Sequence, residues 1–168
     1  SVLRGKKMTR IEFSDSLLEG QIAAGALTEA SMLDTLVYHY DRSDNPAKQR
    51  AYLKKAGQAA LDVYAFNSAR DYFSRLLKLT LEDDPERSAL ALRLADVYGG
   101  LNDIPAARAA IEQAQAAAKT DGDRASALAY LGGLNYSLGN SAEAQTMLAE
   151  AVRLARSSGD SRALSLAL

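Results

Sequence analysis

The amino-acid sequence predicts an all-α fold in which consecutive helices pack as antiparallel pairs. Alanine (32 residues) and leucine (25) make up about a third of the 168 residues, whereas isoleucine (4) and valine (5) are scarce. A β-sheet needs more of these β-branched residues. Apolar residues recur at helical spacing between polar turns, and turns of about two to five residues require neighbouring helices to run in opposite directions.

Capping residues, prolines and glycines mark where the predicted helices begin and end. Proline is tolerated in the first turn of a helix and disrupts a helix interior. Each proline follows a side chain that can cap a helix, in Asn45-Pro46, Asp84-Pro85 and Asn102-Asp103-Ile104-Pro105. Other predicted starts are Ser14 or Asp15, Thr28, Asn67, Asp123, Asn140 and Asp160. Predicted ends carry Gly25, Gly139 and Gly159, because glycine adopts left-handed backbone at little cost.

The predicted helices divide the chain into three parts. We expect residues 1–13 to be a linker or an added segment, 14–45 an N-terminal helical cap or connector, and 46–168 a repeat domain. The chain lacks an initial methionine and stops within an apolar-periodic run, so we expect it to belong to a larger protein. The helices are predicted at about 14–24, 28–42, 46–63, 67–81, 85–101, 104–119, 123–138, 141–157 and from 161 onward.

A pattern of small and apolar residues repeats along the 46–168 segment. Ala69, Ala107 and Ala144 hold equivalent positions, 38 and 37 residues apart, so each copy is a helix-turn-helix unit. The first helices of the copies read Leu53-x2-Ala56-Gly57-x2-Ala60, Ala91-x2-Leu94-Ala95-x2-Tyr98 and Leu128-x2-Leu131-Gly132-x2-Asn135. The turns that follow contain Tyr64, Asn102 and Gly139. The second helices read Ala69-x3-Phe73-x2-Leu76, Ala107-x3-Ile111-x2-Ala114 and Ala144-x3-Leu148-x2-Ala151. The small residues Gly57, Ala95 and Gly132 predict close contacts between helix backbones.

The repeated pattern resembles tetratricopeptide repeats, which are helical hairpins stacked into a right-handed superhelix with a concave groove. The resemblance covers about residues 47–157. It implies a right-handed α-solenoid of about three repeats, at 47–83, 85–121 and 123–158, with a partial fourth repeat at 160–168. The copies exceed the usual length of about 34 residues, and they lack the aromatic residue that normally opens the first helix.

The segment that leads into the repeats carries a finer resemblance. The sequence His39-Tyr40-x2-Ser43-Asp44-Asn45-Pro46-x-Lys48-x3-Tyr52-Leu53-x-Lys55-Ala56-Gly57 is similar to the passage into the helical repeats of large bacterial signalling ATPases. Those proteins join an ATPase module, often beside a nucleotide cyclase or a DNA-binding domain, to a tetratricopeptide-type tail. The resemblance implies that this chain is such a tail in a cytoplasmic bacterial signalling protein.

In proteins with this type of repeat, the first helix of each unit lines the concave groove. Members that bind chaperone tails hold a terminal carboxylate with Lys, Asn and Arg, and here only Lys54 suits that pattern. We therefore expect a non-catalytic module that binds a protein, a peptide or another domain of the same polypeptide. The alternative is a structural spacer or self-association module without a separate ligand. The groove residues implied by the repeat register are Lys54, Gln58, Leu61, Leu92, Asp96, Gly99, Ala129, Gly133 and Tyr136.

Composition and charge disfavour the other classes of function. The 20 Lys+Arg and 21 Asp+Glu give a net charge of −1, without the basic excess of a protein that binds nucleic acid or an anionic membrane. No apolar run approaches the ~18 residues of a spanning helix. Without cysteine the chain has no disulfide, thiolate metal site or cysteine nucleophile. The single histidine, His39, lies among apolar residues and predicts a packing role rather than catalysis.

The remaining polar and glycine motifs predict structure rather than chemistry. Asp83-Asp84 and Asp121-x-Asp123 each precede a helix and predict N-caps. The pairs Gly99-Gly100 and Gly132-Gly133 are not followed by the Lys-Ser/Thr of a phosphate loop. We expect no catalytic residue, cofactor or metal. The last leucines, Leu164, Leu166 and Leu168, predict either a frayed terminal helix or association with a second copy.

Overall fold

The computed structural model describes residues 29–168 and two isolated upstream positions, 17 and 20. This part of the chain is all-α and contains no strand. Its helices are α1 (Glu29–Tyr40), α2 (Pro46–Asp62), α3 (Phe66–Leu79), α4 (Arg87–Gly100), α5 (Ile104–Ala117), α6 (Asp121–Ser137), α7 (Ser141–Ser158) and α8 (Ser161–Ala167). The predicted bounds of these eight helices agree within about two residues. Apart from positions 17 and 20, the helix predicted over 14–24 lies outside the described residues, as do the signals at Thr28 and Gly25.

Two of the three prolines begin helices as predicted. Pro46 and Pro105 lie in the first turns of α2 and α5. The capping Asn45 Oδ1 accepts a hydrogen bond from the Lys48 amide (3.1 Å), and Asp103 Oδ1 accepts one from the amide three residues ahead (3.1 Å). These side chains satisfy amide groups that have no partner within the helix.

The prediction that Pro85 lies in the first turn of a helix is wrong. Asp84 Oδ1 accepts a hydrogen bond from the Glu86 amide (2.9 Å), which holds Pro85 in a separate turn, and α4 begins at Arg87. The guanidinium of Arg87 donates to the carbonyl of Thr80 (2.6 Å) and to a second carbonyl in the last turn of α3 (3.2 Å). A cation at these carbonyls is favourable for the preceding helix.

The predicted start of α6 at Asp123 also needs correction. The N-cap is Thr120, and α6 begins at Asp121. The Thr120 side chain accepts from the Asp123 amide (3.0 Å), while Asp123 Oδ2 accepts from the Thr120 amide (3.0 Å). This reciprocal capping box places Asp123 inside the first turn, where its carboxylate is still favourable.

Three helix-to-helix turns share one backbone geometry. Tyr64, Asn102 and Gly139 adopt positive φ angles of 59°, 56° and 84°. At each turn the following amide donates to the carbonyl five residues back, at 2.8, 2.9 and 2.9 Å, as in a Schellman motif. The repeat in the sequence gives these three residues equivalent positions. The predicted helix end at Gly159 is confirmed by its left-handed φ of 69°.

The chain divides into two compact units, 1–72 and 73–168. In the first unit α1 packs against α2. The ring of the buried Tyr40 stacks on that of Tyr52 at 5.0 Å between centroids. The Tyr72 hydroxyl in α3 donates to Asp34 Oδ1 in α1 at 2.5 Å, which ties these two helices together.

In the second unit consecutive helices pack in order along the chain. Helix α4 contacts α5, α5 contacts α6, α6 contacts α7, and α8 contacts both α6 and α7. The buried Ser88 hydroxyl near the start of α4 donates to the Ala114 carbonyl near the end of α5 (2.9 Å). Alanines fill much of the core, with Ala125, Ala155 and Ala163 forming one cluster among α6, α7 and α8.

The prediction of a close helix contact at Gly132 is confirmed. A Cβ atom on Gly132 would lie 2.8 Å from Leu148 Cγ and 3.4 Å from the Ala144 carbonyl oxygen in α7. Its equivalents Gly57 and Ala95 are also buried. The small residue therefore allows α6 and α7 to approach each other.

Candidate functional site

A small pocket opens in the second unit, where α4, α6 and α8 contribute side chains to one surface. Its volume is about 80 Å³. Small-molecule sites usually measure about 300–1,000 Å³, so this pocket suits one side chain or functional group rather than a whole cofactor. Helices α5 and α7 contribute none of its lining. The lining residues are Ser88, Ala89, Leu92 and Arg93 of α4, Asp123, Ser126 and Tyr130 of α6, and Asp160, Arg162 and Leu166 at α8.

The two acidic residues that line the pocket accept hydrogen bonds from backbone amides at the starts of helices. Asp123 accepts backbone hydrogen bonds from Thr120 (3.0 Å) and Lys119 (3.2 Å). Asp160 caps α8 by accepting from the amides of Arg162 (3.0 Å) and Ala163 (2.9 Å). Local capping therefore positions both carboxylates and supplies their hydrogen-bond donors.

Gly122 makes room for the carboxylate of Asp160. A Cβ atom on Gly122 would overlap Asp160 Oδ2 and would lie 3.1 Å from Asp160 Cγ. Gly122 is buried in the first turn of α6. The glycine thus lets the start of α8 pack against the start of α6, which brings Arg162 to the pocket.

A polar network joins α4 and α6 beside the pocket. The Tyr130 hydroxyl donates to Asp96 Oδ2 at 2.9 Å. Arg93 Nη1 lies 3.8 Å from the same carboxylate oxygen, and the side chains of Arg93 and Asp96 are 38% and 34% exposed. The guanidinium of Arg162 also acts electrostatically on Asp96 and Tyr130. Three helices therefore place two cations, one carboxylate and one phenol close together.

Burial dominates the electrostatics of this network. Partial burial raises the pKa of Asp96 above its ordinary value, although the hydrogen bond from Tyr130 and the charges of Arg93 and Arg162 oppose the rise. Burial also raises the pKa of Tyr130, and the neighbouring Asp96 carboxylate raises it further. Tyr130 therefore stays protonated and acts as a hydrogen-bond donor at neutral pH.

The three groove residues predicted on α2 belong to the first unit. Lys54 is exposed, whereas Gln58 and Leu61 are half-buried. The Gln58 amide nitrogen donates to Asp62 Oδ1 at 2.6 Å. All three residues lie on one helix, α2.

The three groove residues predicted on α4 lie along one side of that helix. Leu92 is buried and lines the pocket, while Asp96 belongs to the polar network beside it. Gly99 is exposed, and no atom lies within 4 Å of the position a Cβ would take. Leu92 and Asp96 are thus at the candidate site, whereas Gly99 adds only open surface.

The structure separates the three predicted residues on α6. Gly133 is exposed next to open space, and Tyr136 is 68% exposed. Ala129 is buried against Ala151 of α7 and Ala167 of α8. Ala129 therefore presents no side chain to a partner, because it fills the contact among three helices.

Seven polar residues that line the pocket are absent from the predicted groove: Ser88, Arg93, Asp123, Ser126, Tyr130, Asp160 and Arg162. Arg93 and Tyr130 each follow a predicted groove residue by one position. On α4 both Leu92 and Arg93 line the pocket, whereas on α6 Ala129 is buried and Tyr130 lines it. The residue types at positions 93 and 130 indicate a binding surface, because arginine and tyrosine are the polar residues that most often anchor interfaces. The capping signal at Asp160 was also present in the sequence and places Arg162 in the first turn of α8.

Other kinds of site are not found among the described residues. His39 is half-buried, with its ring edge-on to Tyr38 at 5.7 Å between centroids. No group of three or more potential ligand side chains that could hold a metal ion occurs in the described part of the chain. Among the helices of that part, none is long and apolar enough to cross a membrane.

Comparison with models of protein families gives no match for this chain, and comparison with curated proteins gives no significant one.

Proposed function

We propose that the chain is a non-catalytic protein-interaction module with tetratricopeptide-type architecture. Its helices form antiparallel pairs stacked as a right-handed α-solenoid, and the first helices of successive pairs make a concave binding groove. The partner is a protein or peptide segment, or another domain of the same polypeptide. The resemblance to signalling ATPases favours another domain of the same polypeptide as the partner. The whole polypeptide would then be a cytoplasmic protein of bacterial signalling.

The repeated turn geometry supports this architecture. Tyr64, Asn102 and Gly139 follow the first helix of each predicted unit and share a left-handed conformation and a hydrogen-bond pattern. In the second unit α4 contacts α6, and α6 contacts α8, so alternate helices touch as well as consecutive ones. Contacts between alternate helices are required where the first helices of stacked pairs form one layer.

The composition of the pocket carries the proposal for function. All of its lining residues come from α4, α6, and α8 with its N-cap Asp160, and these are the first helices of three successive predicted units. Residues from separate units thus converge on one small concave surface with mixed apolar and polar character. Such a surface suits side chains of a peptide, and its volume suits neither a nucleotide nor another cofactor.

Selection of short random peptides displayed on phage tests this function. Selected peptides should bind the chain, and Ser126→Arg should weaken their binding at least about tenfold because it blocks the pocket. Gln145→Arg, an equal charge change at an exposed site on α7, is the control. Circular dichroism confirms that both variants fold. Selected peptides that bind Ser126→Arg as well as the unmodified chain would contradict the proposal.

The alternative of a spacer or self-association module is favoured by the exposed leucines at α8. Leu166 is 41% exposed and Leu168 is 85% exposed. A spacer would yield no peptide sensitive to Ser126→Arg, and a self-association module would show a concentration-dependent mass in sedimentation.

A catalytic nucleotide-binding module is the rival from another class. We expect isothermal calorimetry with ATP to show no binding to this chain, because the pocket between α4, α6 and α8 is too small for a nucleotide. Micromolar ATP binding would contradict the non-catalytic proposal.

A further inference from the structure

The pocket between α4, α6 and α8 contains hydrogen-bond donors that the fold leaves available. Arg93 extends from α4 and Arg162 from the first turn of α8, and both side chains line the pocket. The contact of Arg93 with Asp96 is an ion pair at 3.8 Å, which is too long for a hydrogen bond. Within the described part of the chain, neither guanidinium donates a hydrogen bond. Both guanidinium groups can therefore donate to a group that enters the pocket.

Two carboxylates in the same lining offer acceptors. Asp123 Oδ2 accepts from the amides of Lys119 (3.2 Å) and Thr120 (3.0 Å). Asp160 Oδ1 accepts from the amide of Arg162 (3.0 Å) and from the next amide along the chain (2.9 Å). Among the described residues, no hydrogen bond is made to Asp123 Oδ1 or to Asp160 Oδ2. Each carboxylate therefore keeps one oxygen atom that can accept a further hydrogen bond.

The charges of the lining residues cancel. Its two arginines contribute two positive charges and its two aspartates two negative charges, while its serines and Tyr130 are neutral. Asp96 lies beside the pocket, and its carboxylate accepts the Tyr130 hydroxyl at 2.9 Å. A carboxylate or an ammonium group that entered would be repelled by one pair of charges and would lose its hydration. A neutral group that both donates and accepts hydrogen bonds avoids this repulsion and loses less hydration.

We propose that the pocket binds the carboxamide of a glutamine side chain within a partner peptide. A carboxamide has two lone pairs on its oxygen and two N–H donors. The oxygen accepts from the guanidinium groups of Arg93 and Arg162. The NH2 group donates to Asp123 Oδ1 and Asp160 Oδ2. This inference rests on the proposed function and names the chemistry of the partner.

The size and the apolar part of the pocket agree with a glutamine side chain. A water molecule occupies about 30 Å³ in the liquid, so about 80 Å³ accommodates a terminal group of a few non-hydrogen atoms. Leu92 of α4 and Leu166 of α8 also line the pocket and add apolar surface. The two methylene groups of glutamine can contact this surface while the carboxamide meets the polar side chains.

Four short fluorescent peptides test the inference. They share a central Leu-x-Leu in which x is Gln, Glu, Lys or Met, with glycine and serine elsewhere. The label blocks the N-terminus and an N-methylamide blocks the C-terminus, so no other primary carboxamide and no terminal charge is present. Fluorescence anisotropy should show that the Gln peptide binds at least about tenfold more tightly than each of the others. Added salt should leave its affinity nearly unchanged, because the bound group is neutral.

Variants of the full chain that unbalance the charges locate the binding. Arg162→Gln leaves the lining with an excess negative charge, so it should weaken the Gln peptide about tenfold and favour Lys over Glu. Asp123→Asn leaves an excess positive charge and should favour Glu over Lys. Arg156→Gln and Glu143→Gln make the same charge changes at exposed positions on α7 and should leave all four affinities unchanged.

Thermal unfolding followed by circular dichroism establishes which variants fold. Asp123 also contributes to the capping box of α6, so its replacement costs some stability. The Arg162 side chain donates no hydrogen bond within the described part of the chain, so Arg162→Gln is expected to retain the fold. Arg162→Gln with its control Arg156→Gln therefore decides the test if Asp123→Asn unfolds.

Four results overturn the inference. They are Gln affinity no higher than Met affinity, tightest binding of the Glu or Lys peptide, equal effects of Arg162→Gln and Arg156→Gln, and no binding of the Gln peptide at about 1 mM. Any of these, together with selected peptides that lose binding in Ser126→Arg, leaves the proposed function standing. Selected peptides insensitive to Ser126→Arg contradict that function itself.

Discussion

Gly132 sets the distance between α6 and α7. Its Cβ position lies 2.8 Å from Leu148 Cγ and 3.0 Å from Leu148 Cδ2, so even one added methyl group would displace that side chain. Gly133 is adjacent in the sequence, yet no atom lies within 4 Å of its Cβ position. The two glycines therefore have opposite roles, although they differ by a single helical step.

We predict that Gly132→Leu lowers the free energy of unfolding by about 1–3 kcal/mol, because the added side chain overpacks the contact with Leu148. Gly133→Leu is the matched control. It should leave stability unchanged or raise it by up to about 1 kcal/mol, since leucine favours the helix more than glycine does. Urea denaturation of both variants measures the difference. Equal stability of the two variants would contradict the assignment of Gly132 to a close contact.

The carboxyl group of Asp96 predicts a pH dependence of stability. Its pKa is raised in the folded chain, so the folded state binds the proton more tightly than the unfolded state does. The associated stabilisation is complete below the unfolded pKa and is lost as the pH rises through the folded pKa. Asp96→Asn removes this dependence. Between about pH 4 and about pH 7, wild type should therefore lose free energy of unfolding relative to the variant. Urea denaturation at both values measures this.

A second substitution checks that the effect belongs to the Asp96 network. Tyr130→Phe removes the hydrogen bond that stabilises the Asp96 carboxylate, so the pKa of Asp96 should rise further. Loss of stability between acidic and neutral pH should then be larger than in wild type. If the relative stability of Asp96→Asn does not change with pH, the carboxyl group is not perturbed as described.

At the scale of elements, the capping box at the start of α6 is the best-defined local device. Thr120 and Asp123 exchange two hydrogen bonds at 3.0 Å. Thr120→Ala removes one of them and should lower the free energy of unfolding by about 0.5–2 kcal/mol. Thermal denaturation followed by circular dichroism measures the loss, and urea denaturation gives a second measurement of it.

Thr146→Ala provides the comparison for Thr120→Ala. Thr146 is exposed within α7, and its hydroxyl donates to the Ala142 carbonyl one turn back (3.1 Å). Alanine is the better helix former there, so stability should change by less than about 0.5 kcal/mol. A similar loss in both variants would mean that the capping box contributes nothing specific.

The sequence predicts the extent of the helices well because caps, prolines and glycines are local signals. It fails at the starts of α4 and α6. At α6, Thr120 and Asp123 are both able to cap. Asp123 is a plausible N-cap by itself, and only the reciprocal bonds with Thr120 place it inside the helix. Pro85 is displaced from α4 because Asp84 closes a separate turn and Arg87 binds carbonyls at the end of α3.

At the scale of the whole molecule, the candidate site was predicted only in part. Two residues of the predicted groove, Leu92 and Asp96, lie at or beside the pocket. One residue along a helix rotates a side chain by about 100°. Ala129 therefore faces Ala151 and Ala167, whereas the next residue, Tyr130, lines the pocket. The rotation of each helix about its own axis depends on packing between helices, which a repeat pattern alone does not define.

The exposed end of α8 predicts self-association at high concentration. Leu164 packs against the cluster of Ala125, Ala155 and Ala163, so it is engaged within the chain. Leu166 and Leu168 are exposed, and burial of their surface between two copies would contribute about 25 cal/mol per Å² before ordering costs. We predict a concentration-dependent mass in sedimentation that the variant Leu166→Glu/Leu168→Glu suppresses. A monomeric wild type across the whole range would contradict this.

The common geometry of the helix-to-helix turns has a consequence for how the chain can change in length. Asn102 and Gly139 leave α4 and α6 with the same left-handed conformation, 37 residues apart. If the segment from Asp103 to Gly139 were duplicated, the second copy would follow Gly139 as the first copy follows Asn102. The joint would therefore need no new type of turn. Lengthening by whole units therefore keeps a left-handed residue at each joint.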